Sequence, residues 1–252
     1  YATTSAGTAY SDMMSFNILL DPNFTATDLA SAGTANSYII TSPGKYKFNA
    51  TVIGNGASGI IPDANFHTTD PTISPSSVEV LWETKGANEK AESGELLSDV
   101  TLTDDGYVEF MSTGVEGNAL VAAKDADGTI LWSWHIWVTD QPKEQIYYRS
   151  AGTMMDRNLG ARYVGALGLE YQWGRKDPFP NQQHGTTIYF WPGDVGSDKY
   201  YGTIEYAISH PMTFISENNN GDWLYSTDSR TDDTRWTTSN EFKSIYDPCP
   251  LG

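Results

Sequence analysis

Apolar and polar residues alternate in several short segments of the first 140 residues. In Lys45–Ile53 every second residue from Tyr46 to Val52 is apolar, and the residues between them are polar. This period of two is typical of a β-strand with one buried face. Ser15–Leu20 is a short apolar run ended by the turn pair Asp21-Pro22, and Thr34–Thr41 ends at the turn Ser42-Pro43-Gly44. Val78–Thr84 is a further strand, with Val78, Val80 and Trp82 on one face. The pattern therefore predicts strands and no long helix in this part of the chain.

Turn sequences separate neighbouring strands. Asp104-Asp105-Gly106 lies between Val100–Thr103 and Tyr107–Met111, and a second acidic turn ending at Gly128 lies between Asn118–Lys124 and Thr129–Val138. Both patterns are typical of β-hairpins. Ser42-Pro43-Gly44 predicts a third hairpin, between Thr34–Thr41 and Lys45–Ile53. About eight short strands at regular spacing indicate an immunoglobulin-like β-sandwich.

In the last of these strands, Trp132, Trp134, Ile136 and Val138 share one face. Leu131, Ser133, His135 and Trp137 share the other, so both faces carry tryptophan.

The composition changes after the polar segment Asp140–Glu144, which contains a proline. We place a domain boundary there, which gives a β-sandwich domain over residues 1–141 and a second domain over residues 142–252. The second domain has long irregular stretches and few periodic segments. Gly165–Tyr171 is expected to be a short helix or a turn, and Asn240–Tyr246 a helix. The expected fold class is mainly β, with an irregular α+β second domain.

Charge and composition restrict the possible partners. Lys and Arg number 15 against 32 Asp and Glu, so the net charge is −17. Such a surface repels phosphate backbones, which argues against nucleic-acid binding. The chain contains no run of 18 apolar residues, so its sequence predicts no transmembrane helix. Cys249 is the only cysteine, so no disulfide can form within the chain.

Candidate catalytic groups are few. None of the four histidines lies at metal-ligand spacing from another histidine or from Cys249, and no nucleophile elbow, phosphate loop or dinucleotide fingerprint is present. The expectation is therefore a protein without catalysis and without a cofactor, except that calcium is a candidate ion. Asn218, Asp222 and Asp228 carry the oxygen ligands that calcium prefers. A solvated acidic loop is the alternative interpretation.

Tryptophans of the second domain suggest a ligand site. Trp173, Trp191, Trp223 and Trp236 could form a platform that stacks on a sugar ring. Of these, Trp191 and Trp223, with the carboxylate of Asp222 to bind sugar hydroxyls, are the candidate ligand residues. An irregular domain with few aliphatic residues also uses tryptophan to fill its core, and that alternative stays open.

Six residues form a motif that we interpret as a structural signature: Asp156, Arg157, Asn158, Trp173, Arg175 and Asp177. Their charges are expected to pair inside the fold, because buried Arg and Asp are rarely tolerated unpaired.

Three fragments carry a family resemblance: Met155–Ala161 (MDRNLGA), Tyr171–Pro180 (YQWGRKDPFP) and Tyr246–Gly252 (YDPCPLG). In this order they resemble the paralogous repeat domain of Bacteroidetes and Fibrobacter surface proteins. The two-part layout is similar to fimbrillin-like adhesins, such as tip or accessory subunits of type V pili. The resemblance implies an N-terminal β-sandwich and a C-terminal domain of the C-type-lectin-like or formylglycine-generating-enzyme-like fold.

The resemblance also implies location and partners. It implies export to the cell surface, with outer-membrane anchoring through a lipoprotein leader that is missing here. Partners would be other pilus or surface-protein subunits, joined by strand addition, or a host or dietary glycan. Members of the family continue beyond the third fragment with a Trp-Arg-x-Pro segment, so the expectation is either that the chain is truncated or cleaved at Gly252 or that its second domain closes differently.

Three functions follow as hypotheses. The first is a non-catalytic cell-surface adhesin or pilus (fimbrial) subunit that acts in cell adhesion or subunit assembly. The second is a carbohydrate-binding surface lipoprotein of a glycan-uptake system. The third and weakest is an oxidase of the formylglycine-generating type, because that chemistry needs a pair of cysteines and the chain has only Cys249.

Overall fold

The structure is a computed structural model that describes most of the chain. The described residues are 25–56, 70–149, 152–180, 194–216, 222–225, 235–236 and 243–251, with the backbones of two short strands, β1 (Ala2–Thr4) and β2 (Gly7–Ala9), which pair antiparallel. Within these residues the fold is mainly β, with several open sheets and one short helix. That helix lacks the length and apolar character needed to cross a membrane.

Two sheets form the first part of the molecule, which we call the sandwich. The five-stranded sheet has the order β4-β11-β10-β6-β7, and the four-stranded sheet has the order β3-β5-β9-β8. Their strands are β3 (Thr27–Asp28), β4 (Ser37–Ile40), β5 (Gly44–Asn49), β6 (Ser77–Lys85), β7 (Glu89–Lys90), β8 (Leu97–Leu102), β9 (Tyr107–Ser112), β10 (Gly117–Lys124) and β11 (Ile130–Val138).

Aromatic rings join the two sheets face to face. Phe48 of β5 packs against Tyr38 of β4 and Trp134 of β11, with ring centroids 5.0 and 5.1 Å apart. The predicted inner face of β11 is confirmed, because Trp132, Trp134, Ile136 and Val138 all belong to this core. The hairpin between β10 and β11 is also confirmed.

The predicted hairpin between Thr34–Thr41 and Lys45–Ile53 is wrong. β4 pairs in parallel with β11, whereas β5 pairs with β9 in the other sheet. The Ser42-Pro43-Gly44 turn therefore carries the chain from one sheet to the other. Tyr38 and Phe48 explain this arrangement, since their rings stack across the core from opposite sheets rather than side by side in one.

The second part of the molecule, which we call the lobe, is built from the described residues after 141. It contains β12 (Glu144–Ile146) paired antiparallel with β13 (Thr153–Met155), and β14 (Asp194–Gly196) paired in parallel with β15 (Phe214–Ser216). Its helix α1 (Ile204–Ser209) is capped by the hydroxyl of Thr203, which accepts the N–H of Tyr206 at 3.1 Å.

Of the two alternatives given for Gly165–Tyr171, the structure has a turn at the start of the segment and no helix, whereas the helix expected over Asn240–Tyr246 is wrong in its described part. Residues 163–170 form a turn and irregular backbone that ends in a bridge between Glu170 and Phe179. Residues 243–246 form turns and no helix, and the remainder of the predicted helix, 240–242, lies outside the described residues, as does Ser15–Leu20.

The sandwich and the lobe share one hydrophobic core. Trp134 and Phe48 belong to the same buried cluster as Trp223, Ile245 and other lobe residues. Trp132 packs against Tyr246 with ring centroids 6.0 Å apart. The domain boundary at 141/142 stays a prediction, but burial of apolar surface is continuous across it, so the lobe is held by the sandwich.

Candidate ligand-binding cleft and the buried charges beneath it

Arg157 anchors the lobe to the end of β11. Its guanidinium forms ion pairs with Asp156, at 2.8 Å, and with Asp140, which follows β11. It also donates to the carbonyl oxygen of Arg162 at 3.1 Å. The hydrogen bonds from Arg157 lower the pKa of both carboxyl groups. Asn158, the third residue of this triplet, is exposed, so the triplet has a structural and a solvent-facing side.

A buried polar network lies on the outer face of the five-stranded sheet. His135 contacts the hydroxyl of Ser37 through Nδ1, at 3.0 Å, and the side chain of Asn118 through Nε2, at 2.8 Å. Asn118 Nδ2 donates to the carbonyl oxygens of Gly86, at 2.7 Å, and Gly160, at 3.0 Å. The Gly160 contact connects this network to the MDRNLGA motif of the lobe.

The network has the residue types of a hydrolytic triad without its access to substrate. Ser37, His135 and Asn118 are each at most 1% exposed, and burial lowers the pKa of His135 to about 3. The imidazole is therefore neutral at pH 7. Because Asn118 Nδ2 already donates twice, its Oδ1 accepts from His135 Nε2–H, and His135 Nδ1 accepts from Ser37. This arrangement satisfies buried polar groups.

Lys176 and Asp177 form a buried ion pair against β11. Lys176 Nζ lies 2.6 Å from Asp177 Oδ1 and donates to the carbonyl oxygen of Ser133 at 3.1 Å. The Ser133 hydroxyl also donates to Asp177, at 2.6 Å. Burial lowers the pKa of Lys176, while the neighbouring Asp177 opposes that shift. Both charged groups therefore form contacts that bind the lobe to the sheet.

Arg175 organises the backbone after α1. Its guanidinium donates to the carbonyl oxygen of Thr213 at 2.8 Å and to that of His210 at 3.2 Å, and to Gln172 Oε1 at 2.7 Å. Desolvation lowers its pKa to about 10, so it stays charged at neutral pH. The charge therefore stabilises carbonyl groups at and just beyond the C-terminus of α1. The cavity that Arg175, Lys176 and Asp177 border has a volume of about 10 Å³, room for one water molecule.

Arg235 and Asp222 form a second buried pair beneath Trp173. Arg235 Nη2 lies 2.8 Å from each carboxylate oxygen of Asp222, and its side chain is 0% exposed. Trp223, which is 4% exposed, donates its indole N–H to the carbonyl oxygen of Trp173 at 2.7 Å. The guanidinium of Arg235 lies 5.2 Å from the centroid of the Trp223 ring, a cation–π contact.

An open cleft of about 470 Å³ lies above this pair. Trp173 and Phe214 line it and are 48% and 37% exposed, respectively. Asp222, Trp223 and Ser216 also line it. Its size is that of a small-molecule site, and it combines apolar rings with a few polar groups.

The structure places the predicted ligand residues unequally. Trp223 and Asp222 lie together at the cleft but are buried, whereas Trp191, Asn218 and Asp228 lie outside the described residues. The burial of Trp223 favours a role in the core, and the carboxylate of Asp222 is committed to Arg235. The described part of the chain contains no group of three or more His, Cys, Asp or Glu side chains suited to a metal ion. Calcium binding stays a prediction.

The sequence placed Trp173 among four tryptophans that could form a sugar-stacking platform, but not among the candidate ligand residues, and it gave no indication of Phe214. Trp173 was assigned to the structural signature, and Phe214 is a single aromatic residue in the short strand β15. The exposure of Trp173 depends on which of its neighbours covers it, and the flanking sequence carries no signal for that.

Cys249 is partly buried, and desolvation raises the pKa of its thiol to about 12. The thiol is thus protonated at pH 7 and is a poor nucleophile in this environment.

Comparison of the chain with protein-family models, with curated proteins and with solved structures returns no match.

Proposed function

We propose that the protein is a non-catalytic cell-surface adhesin or pilus subunit, in which the sandwich supports the lobe and the lobe carries the recognition surface. The observation that carries the proposal is the arrangement of the lobe. Its charged motif residues Arg157, Arg175, Lys176 and Asp177 are buried in contacts that fix the lobe, while the open cleft is lined by Trp173. Buried charges that are paired or hydrogen-bonded within the fold are not available to a ligand, whereas an exposed aromatic residue in a cleft is.

In this proposal the sandwich is immunoglobulin-like and of the fimbrillin type, and the lobe is C-type-lectin-like. The two packed sheets and the irregular, loop-rich lobe support that description. We place the protein outside the cell, anchored in the outer membrane, with other surface subunits as partners. The burial of His135, which excludes substrate from its ring, and the raised pKa of the Cys249 thiol support a role without catalysis.

The cleft favours one second candidate, a carbohydrate-binding lipoprotein of a glycan-uptake system. Both candidates require display at the cell surface and differ in what the protein assembles with. A pilus subunit copurifies with sheared fibres, whereas an uptake lipoprotein copurifies with an outer-membrane transporter.

Antibody labelling of intact cells of the source organism tests the proposal, together with deletion of the gene. We expect labelling of intact cells, loss of adhesion or of fibres in the deletion strain, and recovery on complementation. Labelling only after cell lysis would contradict display at the surface.

A further inference from the structure

Trp173 is a fixed aromatic surface. Its carbonyl oxygen accepts hydrogen bonds from Trp223 Nε1, at 2.7 Å, and from Arg235 Nη2, at 3.4 Å. Its ring packs against Trp236 with centroids 4.8 Å apart. Although the side chain is 48% exposed, its backbone and one side of its ring are held in place. A ligand that stacks on it would therefore lose little free energy to ordering of the protein.

The charges around the cleft disfavour a cationic ligand. The ring of Trp223 lies within cation–π distance of two guanidinium groups, Arg235 at 5.2 Å and Arg175 at 5.7 Å. The carboxylate of Asp222 is bound by Arg235 through both oxygens. A cationic ligand would meet these two like charges beneath the cleft and an anion that is already paired.

An anionic ligand is disfavoured for different reasons. Arg235 is 0% exposed and binds both oxygens of Asp222, and Arg175 is 3% exposed and donates to backbone carbonyls and Gln172. Among the described residues, Nε of both side chains and Nη1 of Arg235 have no hydrogen-bond partner, but these atoms are buried, so an incoming carboxylate or phosphate in the cleft does not reach them. The net charge of −17 also repels anions as they approach. A neutral ligand remains.

A sugar ring matches the cleft in shape and polarity. Trp173 and Phe214 are exposed apolar surfaces, and Ser216 supplies a hydroxyl group at the same cleft. A neutral pyranose has an apolar C–H face and a rim of hydroxyl groups that can donate and accept hydrogen bonds. The cleft volume of about 470 Å³ lies within the range of sites that bind small ligands.

We propose that this cleft binds a neutral saccharide, with one sugar ring stacked on Trp173. The inference rests on the proposed recognition role and names its ligand class. It makes Trp173 the ligand-contacting residue, and it makes Trp223, Asp222 and Arg235 positioning residues that hold Trp173 from below.

The test uses the full chain on an array of neutral, sialylated and uronate-bearing glycans, followed by calorimetric titration of the strongest neutral glycan. We expect binding to neutral glycans and none to acidic ones. Trp173→Ala should weaken binding about tenfold or more, which corresponds to the loss of about 1.4 kcal/mol. Trp173→Phe should retain part of the affinity. Tyr163→Ala removes a 64% exposed aromatic residue that is not among those lining the cleft, and should bind as the unmodified chain does.

Each other outcome overturns the inference. Absence of neutral-glycan binding, a preference for acidic glycans, or unchanged affinity in Trp173→Ala would do so. Should Trp173→Ala fail to fold, unchanged affinity in Trp173→Phe would do so, and so would a loss of affinity in Tyr163→Ala as large as that in Trp173→Phe. If cells remain labelled and adherent while neutral glycans fail to bind, the saccharide assignment fails and the adhesin proposal stands. Loss of surface labelling would contradict the adhesin proposal instead.

Discussion

His135 donates a hydrogen bond of 2.8 Å from Nε2 to the side-chain oxygen of Asn118, with both residues at most 1% exposed. Asn118 in turn donates to the carbonyl oxygen of Gly160 in the lobe. A neutral imidazole on β11 is therefore part of the contact that fixes the MDRNLGA segment on the sheet. Protonation of His135 would place an unpaired charge in this buried network.

The first prediction concerns acid stability. The folded pKa of His135 is about 3, below its ordinary value of 6.5, so between these values the unfolded chain binds a proton that the folded chain does not. The contribution of neutral His135 to the free energy of unfolding has its full value above pH 6.5. Below that pH it falls by about 1.4 kcal/mol per pH unit. Urea unfolding from pH 7 to pH 4 measures this slope.

The His135→Gln variant should be less stable at pH 7. Its free energy of unfolding should also lack the part of the pH dependence that comes from binding one proton to His135. His210→Gln, at the exposed end of α1, controls for removal of a histidine. The same slope in His135→Gln as in the unmodified chain would mean that the imidazole titrates normally in the fold.

The second prediction concerns Arg157. Arg157→Ala should lower the Tm at pH 7, because Asp140 and Asp156 lose their shared partner. The pKa of each carboxyl is lowered in the fold, so this stabilisation is present above the ordinary pKa near 3.8 and disappears as the pH falls through the lowered values. The Tm difference between the two chains should therefore shrink below about pH 4.

Arg162→Ala is the matched control for this prediction. Its side chain makes an exposed ion pair with Glu116 at 3.5 Å, and exposed pairs contribute little stability. Equal Tm losses in Arg157→Ala and Arg162→Ala would contradict the anchoring role of Arg157.

The third prediction concerns Gly174, in the YQWGRKDPFP fragment. Its φ of +78° is a left-handed conformation, and an added Cβ would lie 2.6 Å from the Cβ of buried Arg235. Gly174→Ala should be destabilised by roughly 3 kcal/mol, from backbone strain and from overlap together. Chemical denaturation measures the loss.

Gly165→Ala separates the two causes. Gly165 has a similar φ of +85°, but no atom lies within 4 Å of the position that its Cβ would take. It should lose only about 1 kcal/mol, the cost of the left-handed backbone. Equal losses at the two positions would mean that Arg235 does not occupy the space beside Gly174.

The sequence predicted local features better than long-range ones. Alternation along β11 identified the face of Trp134 correctly, because the period of two is a property of the strand itself. The turn at Ser42-Pro43-Gly44 was also present, but the pairing of β4 was wrong. A turn limits the direction of the chain, whereas Tyr38 stacking on Phe48 across the core decides which sheet each strand joins.

The candidate site was less predictable for the same reason. Asp222 was identified as a ligand residue, yet its partner Arg235 is 13 positions away in an irregular part of the chain, where no periodicity relates the two. The exposure of Trp173 and the burial of Trp223 likewise depend on how this irregular chain packs. Residue type alone does not distinguish an aromatic residue of the core from one in a cleft.

The shared core of the sandwich and the lobe is tested most directly by equilibrium unfolding in urea, followed by hydrogen exchange of amides in both parts. Amides of β10 and β11 report on the sandwich, and those of α1 and β15 report on the lobe. If Trp134, Trp223 and Ile245 belong to one cluster, both sets should lose protection at one urea midpoint, as in a single cooperative unit. Two separate midpoints, with the lobe unfolding while the sandwich keeps its protection, would contradict the shared core.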